Sequence, residues 1–422
     1  MAARRAGGAG TRSGVVDRTA QRPQEEPATA PEGEETDLSR RWCTALVLGG
    51  GGAHAAYQVG VLAAIVERAP SLEFPILTGV SAGAINIAHL AAYRGSLAAA
   101  VDALRREWGR LTADRVYRIS PMRLARTGLR WLGAMAFRRH GGPGMVRGLM
   151  DMEPLRRFLA RSLDLRGIDE NIAAGRLRAV AISATPYASD QTVTFVQGAE
   201  DVPTWRRALR YSLRTHLTLD HVMASAAIPI LFPAVRVNDQ FYGDGSVRQT
   251  APFAPAIHLG ARALVLISSR PDPETPRVPR ASVRAQRERQ YPSLAEVMGM
   301  LLHTAFLDAP EADAERLERI NRLLEACPAG SGAPDGLKPI HLLVLRPSQD
   351  LGSLVAAQRV RLPPLVRWVV RGMGGEREAA AGFLSYLLFD PAYTTALIDL
   401  GYADAHREWS RIERFLRVTG GT

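Results

Sequence analysis

Two successive units of the same grammar, early in the chain, constrain the fold most. Cys43-Thr-Ala-Leu-Val-Leu48 is a short apolar run of strand length. Four consecutive glycines follow, Gly49 to Gly52, and then Ala55–Arg68, where Tyr57, Val61, Leu62 and Ile65 recur at helical spacing. Next, Pro75-Ile-Leu-Thr78 runs into Gly79-Val-Ser-Ala-Gly83, and a second apolar helix is predicted over Ala84–Tyr93. Strand, small-residue turn, helix, twice over, predicts parallel strands with helices packed on both faces. The expected fold class is therefore α/β: a three-layer α/β/α sandwich around a mainly parallel sheet.

Further along, Leu177–Thr185, Gln191–Val196 and Ala263–Ser268 read as strands, and Thr218–Ala227 as a helix. Phe241-Tyr-Gly-Asp-Gly245 reads as a turn after a short strand. Residues 1–40 are rich in Ala, Gly, Pro, Glu and Arg without an apolar period, which predicts a disordered tail. One catalytic α/β domain is expected over residues 41–270. The remainder, 271–422, is expected to be a mostly helical extension packed against it, with loops over 271–292 and 328–339. Within it, Ile340–Leu345 is a late strand able to join the sheet edge.

Gly79-Val80-Ser81-Ala82-Gly83 fits the G-x-S-x-G elbow, a sharp strand-to-helix turn that pushes a serine out of the backbone. Taken alone, the same five residues also suit a packing turn. The glycine run does not bind phosphate in the dinucleotide manner, since His54 and Ala55 stand where that spacing needs glycine, and no G-K-[ST] follows. Consecutive glycines can instead turn two backbone N–H groups toward one oxygen, as an oxyanion hole requires. Asp244 lies in Tyr242-Gly-Asp-Gly-Ser246, where an Asx turn is the plain alternative to an acid–base role. His258 follows in serine–acid–histidine order, but its apolar helical stretch favours a core or surface histidine. His54 and His89 lie near the motifs without a signature of their own.

With these segments in order, the sequence resembles the patatin-like phospholipases. Leu46-Val-Leu-Gly-Gly-Gly-Gly-Ala-His-Ala-Ala-Tyr-Gln-Val-Gly60 is similar to that family's oxyanion loop and first helix. Gly79–Gly83 is similar to its nucleophile elbow, with Gly79 and Gly83 as flanks. Asp244-Gly245, preceded by Ala224-Ser-Ala-Ala-Ile-Pro229 and Phe232-Pro233, is similar to its aspartate motif. The resemblance spans roughly residues 43–270. It implies a Ser81–Asp244 dyad without histidine, an oxyanion hole from the N–H groups of Gly51 and Gly52, an acyl-enzyme intermediate, and no metal or other cofactor. Three positions depart from the pattern. The family usually has Arg or Lys at His54, Gly at Ala55, and Gly or Ala at Ser246; His54 can still carry charge or donate a hydrogen bond. A Ser-Asp-His esterase using His258, a transacylase, and a non-catalytic membrane-binding module stay open as alternatives.

The net charge of +11 is almost entirely arginine, Lys338 being the only lysine. No zinc-ligand spacing or RNA-binding signature accompanies it, so anionic lipid and not nucleic acid is the expected partner; the resemblance implies a membrane or micellar glycerolipid as substrate. No apolar run reaches the length of a membrane span or a secretory signal, so a cytoplasmic protein that visits a membrane surface is expected. Residues 104–148 hold eleven arginines against Glu107 and Asp114. Within 121–137, Arg123, Arg126 and Arg130 share one helical face, and Leu124, Trp131, Leu132 and Met135 another. That amphipathic pattern suits an anionic bilayer surface, or equally a core-packed helix.

Overall fold

The computed structural model describes residues 44–119, 148–271, 294–327, 337–357 and 384–420. The expected N-terminal tail, Cys43 and the amphipathic segment carrying Arg123, Arg126, Arg130 and Trp131 lie outside the described residues, as do nearly all of the 271–292 loop and most of the 328–339 loop.

Ten strands form one sheet: β1 (Thr44–Leu48), β2 (Ile76–Val80), β3 (Ala179–Pro186), β4 (Thr192–Gly198), β5 (Arg206–Arg207), β6 (Arg210–Arg214), β7 (Val235–Val237), β8 (Gln240–Asp244), β9 (Ala263–Ile267) and β10 (His341–Leu345). The main path runs β10-β9-β1-β2-β3-β4-β6-β5, with β8 pairing β3 and β7 off it. From β10 through β3 every pairing is parallel. The helices used below are α1 (Ala55–Arg68), α2 (Ala82–Ala92), α3 (Leu97–Trp108), α4 (Glu153–Ser162), α5 (Leu219–Ser225), α6 (Ala254–His258), α7 (Leu294–His303), α8 (Ala309–Glu325) and α9 (Pro391–Arg407).

All five residues of β1, β2 and β9 are buried, as parallel strands covered on both faces must be. Alternate side chains feed two cores. Leu46 and Leu48 join α1, α2 and α9 on one face, while Ala45 and Val47 join α6 and α8 on the other. The three-layer α/β architecture is thus the observed one. The late strand also takes its expected place, β10 extending the sheet beyond β9 in parallel register.

Helix α9 packs along α1 so closely that neither can carry a side chain at the crossing. A β-carbon on Gly60 would stand 1.9 Å from the Ile398 carbonyl oxygen, and one on Gly401 2.2 Å from that of Tyr57. Beside this crossing, the buried Tyr57 hydroxyl donates to Asp404 Oδ2 at 3.2 Å. The C-terminal region is therefore built into the main core.

One feature of the register positions everything that follows. β2 pairs with β3 up to Val80 opposite Ser183. β8 then pairs with the same strand from Asp244 opposite Ala184 outward to Tyr242 opposite Pro186. Because Ala184 already has Val193 of β4 on its other side, β8 occupies the lane that β2 has just left. The two strands meet end to end, running in opposite directions, with Ser81 following one and Asp244 ending the other. The predicted turn over 241–245 is corrected accordingly. Residues 241–244 are strand, held by ladders to β3 and β7, and the turn is the short 3-10 helix Gly245–Val247.

Candidate active site

Ser81 has φ 55° and ψ −130°, one of three non-glycine residues with positive φ among those described. A serine held there is strained, by about 1–3 kcal/mol for such backbone, and persists only where its surroundings over-determine it. Two constraints do so. The Ser81 N–H donates to Ser225 Oγ at 3.0 Å, and that hydroxyl donates onward to the Ser183 carbonyl at 2.7 Å. On the other side, α2 is drawn against the glycine run: a β-carbon on Gly83 would lie 2.3 Å from the Leu48 carbonyl oxygen and 2.4 Å from that of Gly49. The elbow glycines therefore serve close backbone approach, and the helix starts directly at Ala82, two residues earlier than the periodicity predicts.

Asp244 is wholly buried. Its Oδ1 accepts the Ser246 N–H at 2.9 Å, and its own N–H donates to the Ala227 carbonyl at 2.8 Å. Burial raises the carboxyl pKa to about 6. Hydrogen bonding from the Ser81 hydroxyl, and then from the Ser246 N–H and hydroxyl, opposes that rise. Among the described residues, Oδ2 completes no hydrogen bond of full geometry. The Ser81 hydroxyl is thus within the carboxylate's influence but not locked to it, and one lone pair stays free to receive a proton.

The glycine run forms the opposite wall. A β-carbon on Gly50 would fall 3.0 Å from Ser81 Cβ and 2.7 Å from Ser246 Oγ. Gly51 has φ 150° and faces Ser269. Gly52, at φ 56°, packs under the Tyr386 carbonyl, where a β-carbon would be 2.1 Å from the oxygen. Tyr386 and Phe306, whose ring sits on a π-helical turn after α7, cover this wall with ring centroids 5.6 Å apart.

His54 corrects an expectation. It is buried against the Tyr386 ring at 4.5 Å, and neither ring nitrogen has a hydrogen-bond partner among the described residues. Desolvation, aided by nearby His303, lowers its pKa to about 3. Its neutral form is thus favoured, and the one N–H that form carries meets no acceptor among the described residues. An apolar pocket without a counter-charge disfavours the protonated form.

Ser81 and Gly52 line a cavity with room for water-sized centres over about 70 Å³. Ile85 and His89 continue its wall at four-residue spacing along α2, and Trp108, Phe158 and Phe232 face them. By helix rise the cavity follows α2 for about 12 Å from the serine. Its lining is overwhelmingly apolar, which suits a hydrocarbon chain. His89 hydrogen-bonds the Ala100 carbonyl at 3.2 Å. His258 is elsewhere: its half-buried ring stacks at 4.9 Å on Trp205, a residue of the core on the other face of the sheet.

The structure thus brings together Ser81, Asp244, Gly52 and both elbow glycines, and leaves His258 outside. Sequence reasoning missed Gly50 as the glycine nearest Ser81, Ser225 as the anchor of the elbow, and Tyr386 with Phe306 as the cover. Ser225 had a signal, a hydroxyl closing an apolar helix within a quoted motif. The two aromatics had none.

The patatin-like phospholipase family model matches residues 46–257, just over half of the chain. No curated protein sequence matches it. Among solved structures, VipD from Legionella pneumophila is 14% identical, over 85% of this chain and 67% of that one, with a TM-score of 0.29. Human GIVD cytosolic phospholipase A2, solved with methyl gamma-linolenyl fluorophosphonate, is 14% identical over 90% of this chain, with a TM-score of 0.42; the match spans 59% of that protein. ExoU from Pseudomonas aeruginosa, solved with SpcU, is 15% identical over 89% and 80% of the two chains, with a TM-score of 0.27.

Proposed function

The chain belongs to the patatin-like phospholipase family, and from that premise we propose that it is a serine lipid acyl hydrolase with Ser81 as nucleophile and Asp244 as general base. The observation that carries this reading is the end-to-end meeting of β2 and β8. It sets a strained serine that lines an apolar cavity beside a buried carboxylate.

The chemistry follows from the groups present. The acyl chain of a membrane or micellar glycerolipid enters the cavity, bringing its ester carbonyl to Ser81. Ser81 Oγ attacks the carbonyl carbon while Asp244 Oδ2 accepts its proton. A base with a pKa near 6 is ionised at neutral pH yet basic enough to take that proton. The Ser81 N–H is already engaged by Ser225, so the developing oxyanion needs other donors. The N–H groups of Gly51 and Gly52, with the partial positive charge at the N-terminus of α2, supply them. The tetrahedral intermediate collapses, the C–O bond to the glycerol side breaks, and Asp244 returns its proton to the leaving alkoxide. Water, deprotonated by Asp244, then attacks the acyl-enzyme, and the fatty acid leaves with Ser81 reprotonated. The role is lipid degradation, of the phospholipase A or lysophospholipase type.

The test is labelling with a long-chain fluorophosphonate, together with product analysis on glycerophospholipid micelles. Wild type should label once, on Ser81, and release free fatty acid; Ser81→Ala should do neither. Hydrolysis that persists undiminished in Ser81→Ala would overturn the assignment. A folded wild type that neither labels nor hydrolyses would make the chain a non-catalytic member of its family.

A further inference from the structure

The β5–β6 hairpin lies on the same edge of the sheet as the candidate active site. β4 runs antiparallel to β3, with Val193 opposite Ala184, the residue that faces Asp244. β6 runs parallel to β4, with Arg210 opposite Thr192. The turn Ala208–Leu209 therefore emerges level with the C-terminal ends of β2 and β3. Thr192 ties it to the site: its N–H donates to the Leu209 carbonyl at 2.8 Å, and its hydroxyl to the carbonyl of Arg248, just past the Asp244 turn, at 3.1 Å.

The hairpin is built against its own stability. Arg207 and Arg210 are direct cross-strand partners, and like charges opposite each other repel. Arg206 lies over the Tyr211 ring at 5.3 Å. None of the three forms an ion pair among the described residues, whereas Arg178, Arg236 and Arg248 of the same sheet region pair with Asp201, Asp239 and Asp190. The buried Asp313, on which the charge of the half-buried Arg210 also acts, is engaged by the Phe253 N–H and by Arg316. At the tip, the Leu209 side chain is 59% exposed, and Phe241 and Val247 are exposed on the same edge, flanking Asp244 in the chain.

We propose that this edge docks on an anionic phospholipid bilayer, with Arg206, Arg207 and Arg210 meeting headgroup phosphates and Leu209 entering the interface at the end of the sheet where β2 and β8 meet. The occupant follows from complementarity. Guanidinium groups without an ion pair among the described residues suit phosphate oxygens, and an exposed leucine beside them suits the acyl boundary rather than a soluble polyanion. The proposal rests on the acyl-hydrolase reading only for its purpose, which is to present Ser81 to substrate in the bilayer; the docking itself is independent of it.

The experiment is cosedimentation of the full chain with vesicles of phosphatidylcholine alone, or of phosphatidylcholine with phosphatidylglycerol, at low and high salt. Beside it runs hydrolysis of a soluble short-chain ester. Wild type should prefer the anionic vesicles and lose that preference in high salt. The triple change Arg206→Gln, Arg207→Gln and Arg210→Gln should weaken anionic binding roughly tenfold or more, with hydrolysis of the soluble ester unchanged. The same three changed to Lys should retain binding, and Leu209→Ser should weaken it roughly threefold. Undiminished anionic binding by the glutamine triple overturns the proposal. So does equal wild-type binding to both vesicles, or a lysine triple that is folded by circular dichroism yet as weak as the glutamine one. Absence of ester hydrolysis by wild type would sink the acyl-hydrolase reading and leave the vesicle result to decide docking by itself.

Discussion

The two strand-to-helix turns at the centre of this protein share one grammar and solve different problems. The first, Leu48 to His54, uses four glycines, and its far side is covered by Tyr386 and Phe306 from the C-terminal region. The second, Val80 to Ala82, passes through a single strained serine held by Ser225 and Ser183 of neighbouring elements. One turn removes side chains so that backbone can face the cavity; the other forces one side chain into it. Their titratable groups differ in the same way. Burial holds both His54 and Asp244 toward their neutral forms. Asp244, however, has the Ser246 N–H and the Ser81 hydroxyl to stabilise its charge, whereas His54 has no hydrogen-bond partner among the described residues. Only the elbow side is equipped to move a proton near neutral pH.

The largest effects should come from breaking the elbow side. Ser81→Ala and Asp244→Asn should each reduce ester hydrolysis by roughly ten-thousandfold, and the double variant should lose little more, because groups acting as one unit are not additive. Steady-state rates on one soluble ester decide this; additive losses would separate the pair.

Asp244 also predicts two opposite pH dependences. On the proposed mechanism its carboxylate is the active form, so kcat/KM should rise with pH and level off above about 6. Stability should run the other way. The folded pKa, about 6, lies above the ordinary 3.8, so the unfolded chain gives up this proton first. Raising the pH through that window costs the fold up to about 3 kcal/mol. Asp244→Asn should therefore be the more stable protein at pH 7–8 and gain nothing below pH 4. Denaturant melts at the two pH values check it, and an Asn variant less stable at pH 8 would refute the burial argument.

The glycine side sharpens the comparison through contrast within one run. Gly52→Ala meets the Tyr386 carbonyl at positive φ and should cost roughly 3 kcal/mol. Gly49→Ala has nothing within 4 Å and should stay within about 0.5 kcal/mol. Equal costs would mean that the C-terminal cover does not bear on the loop. Smallest of all, His258→Asn should leave ester hydrolysis within roughly twofold, since its ring stacks on Trp205 across the sheet. A collapse there would restore the triad.

Much of this was legible locally. Apolar runs of strand length, separated by glycine turns and helical periodicity, predicted β1, α1, β2 and α2, because the buried faces of such elements impose their spacing on the sequence. Helix α1 spans the very residues predicted, 55 to 68. The hairpins were not legible. β5, at two residues, and β7, at three, are too short to show a period, and β8 reads as a turn because Gly243 and Gly245 flank Asp244. Nor was His54. Its sequence neighbours do not reveal that Tyr386 packs on it and that burial disfavours its charge, so the sequence left both its charged and its neutral form open.

By itself, the sequence determined the alternation of layers, the serine turn, the glycine run and the presence of an aspartate between glycines, all of which depend on residues adjacent in the chain. Tertiary structure decided that β8 occupies the lane β2 vacates beside β3, so that Ser81 and Asp244, 163 positions apart, come together. It also decided that helices and aromatics from beyond residue 290 complete the wall around them. The physical reason is that strand register and desolvation are collective. A hydrogen-bond ladder assigns each residue a neighbour in another strand, and burial by distant elements sets the charge that a side chain can hold.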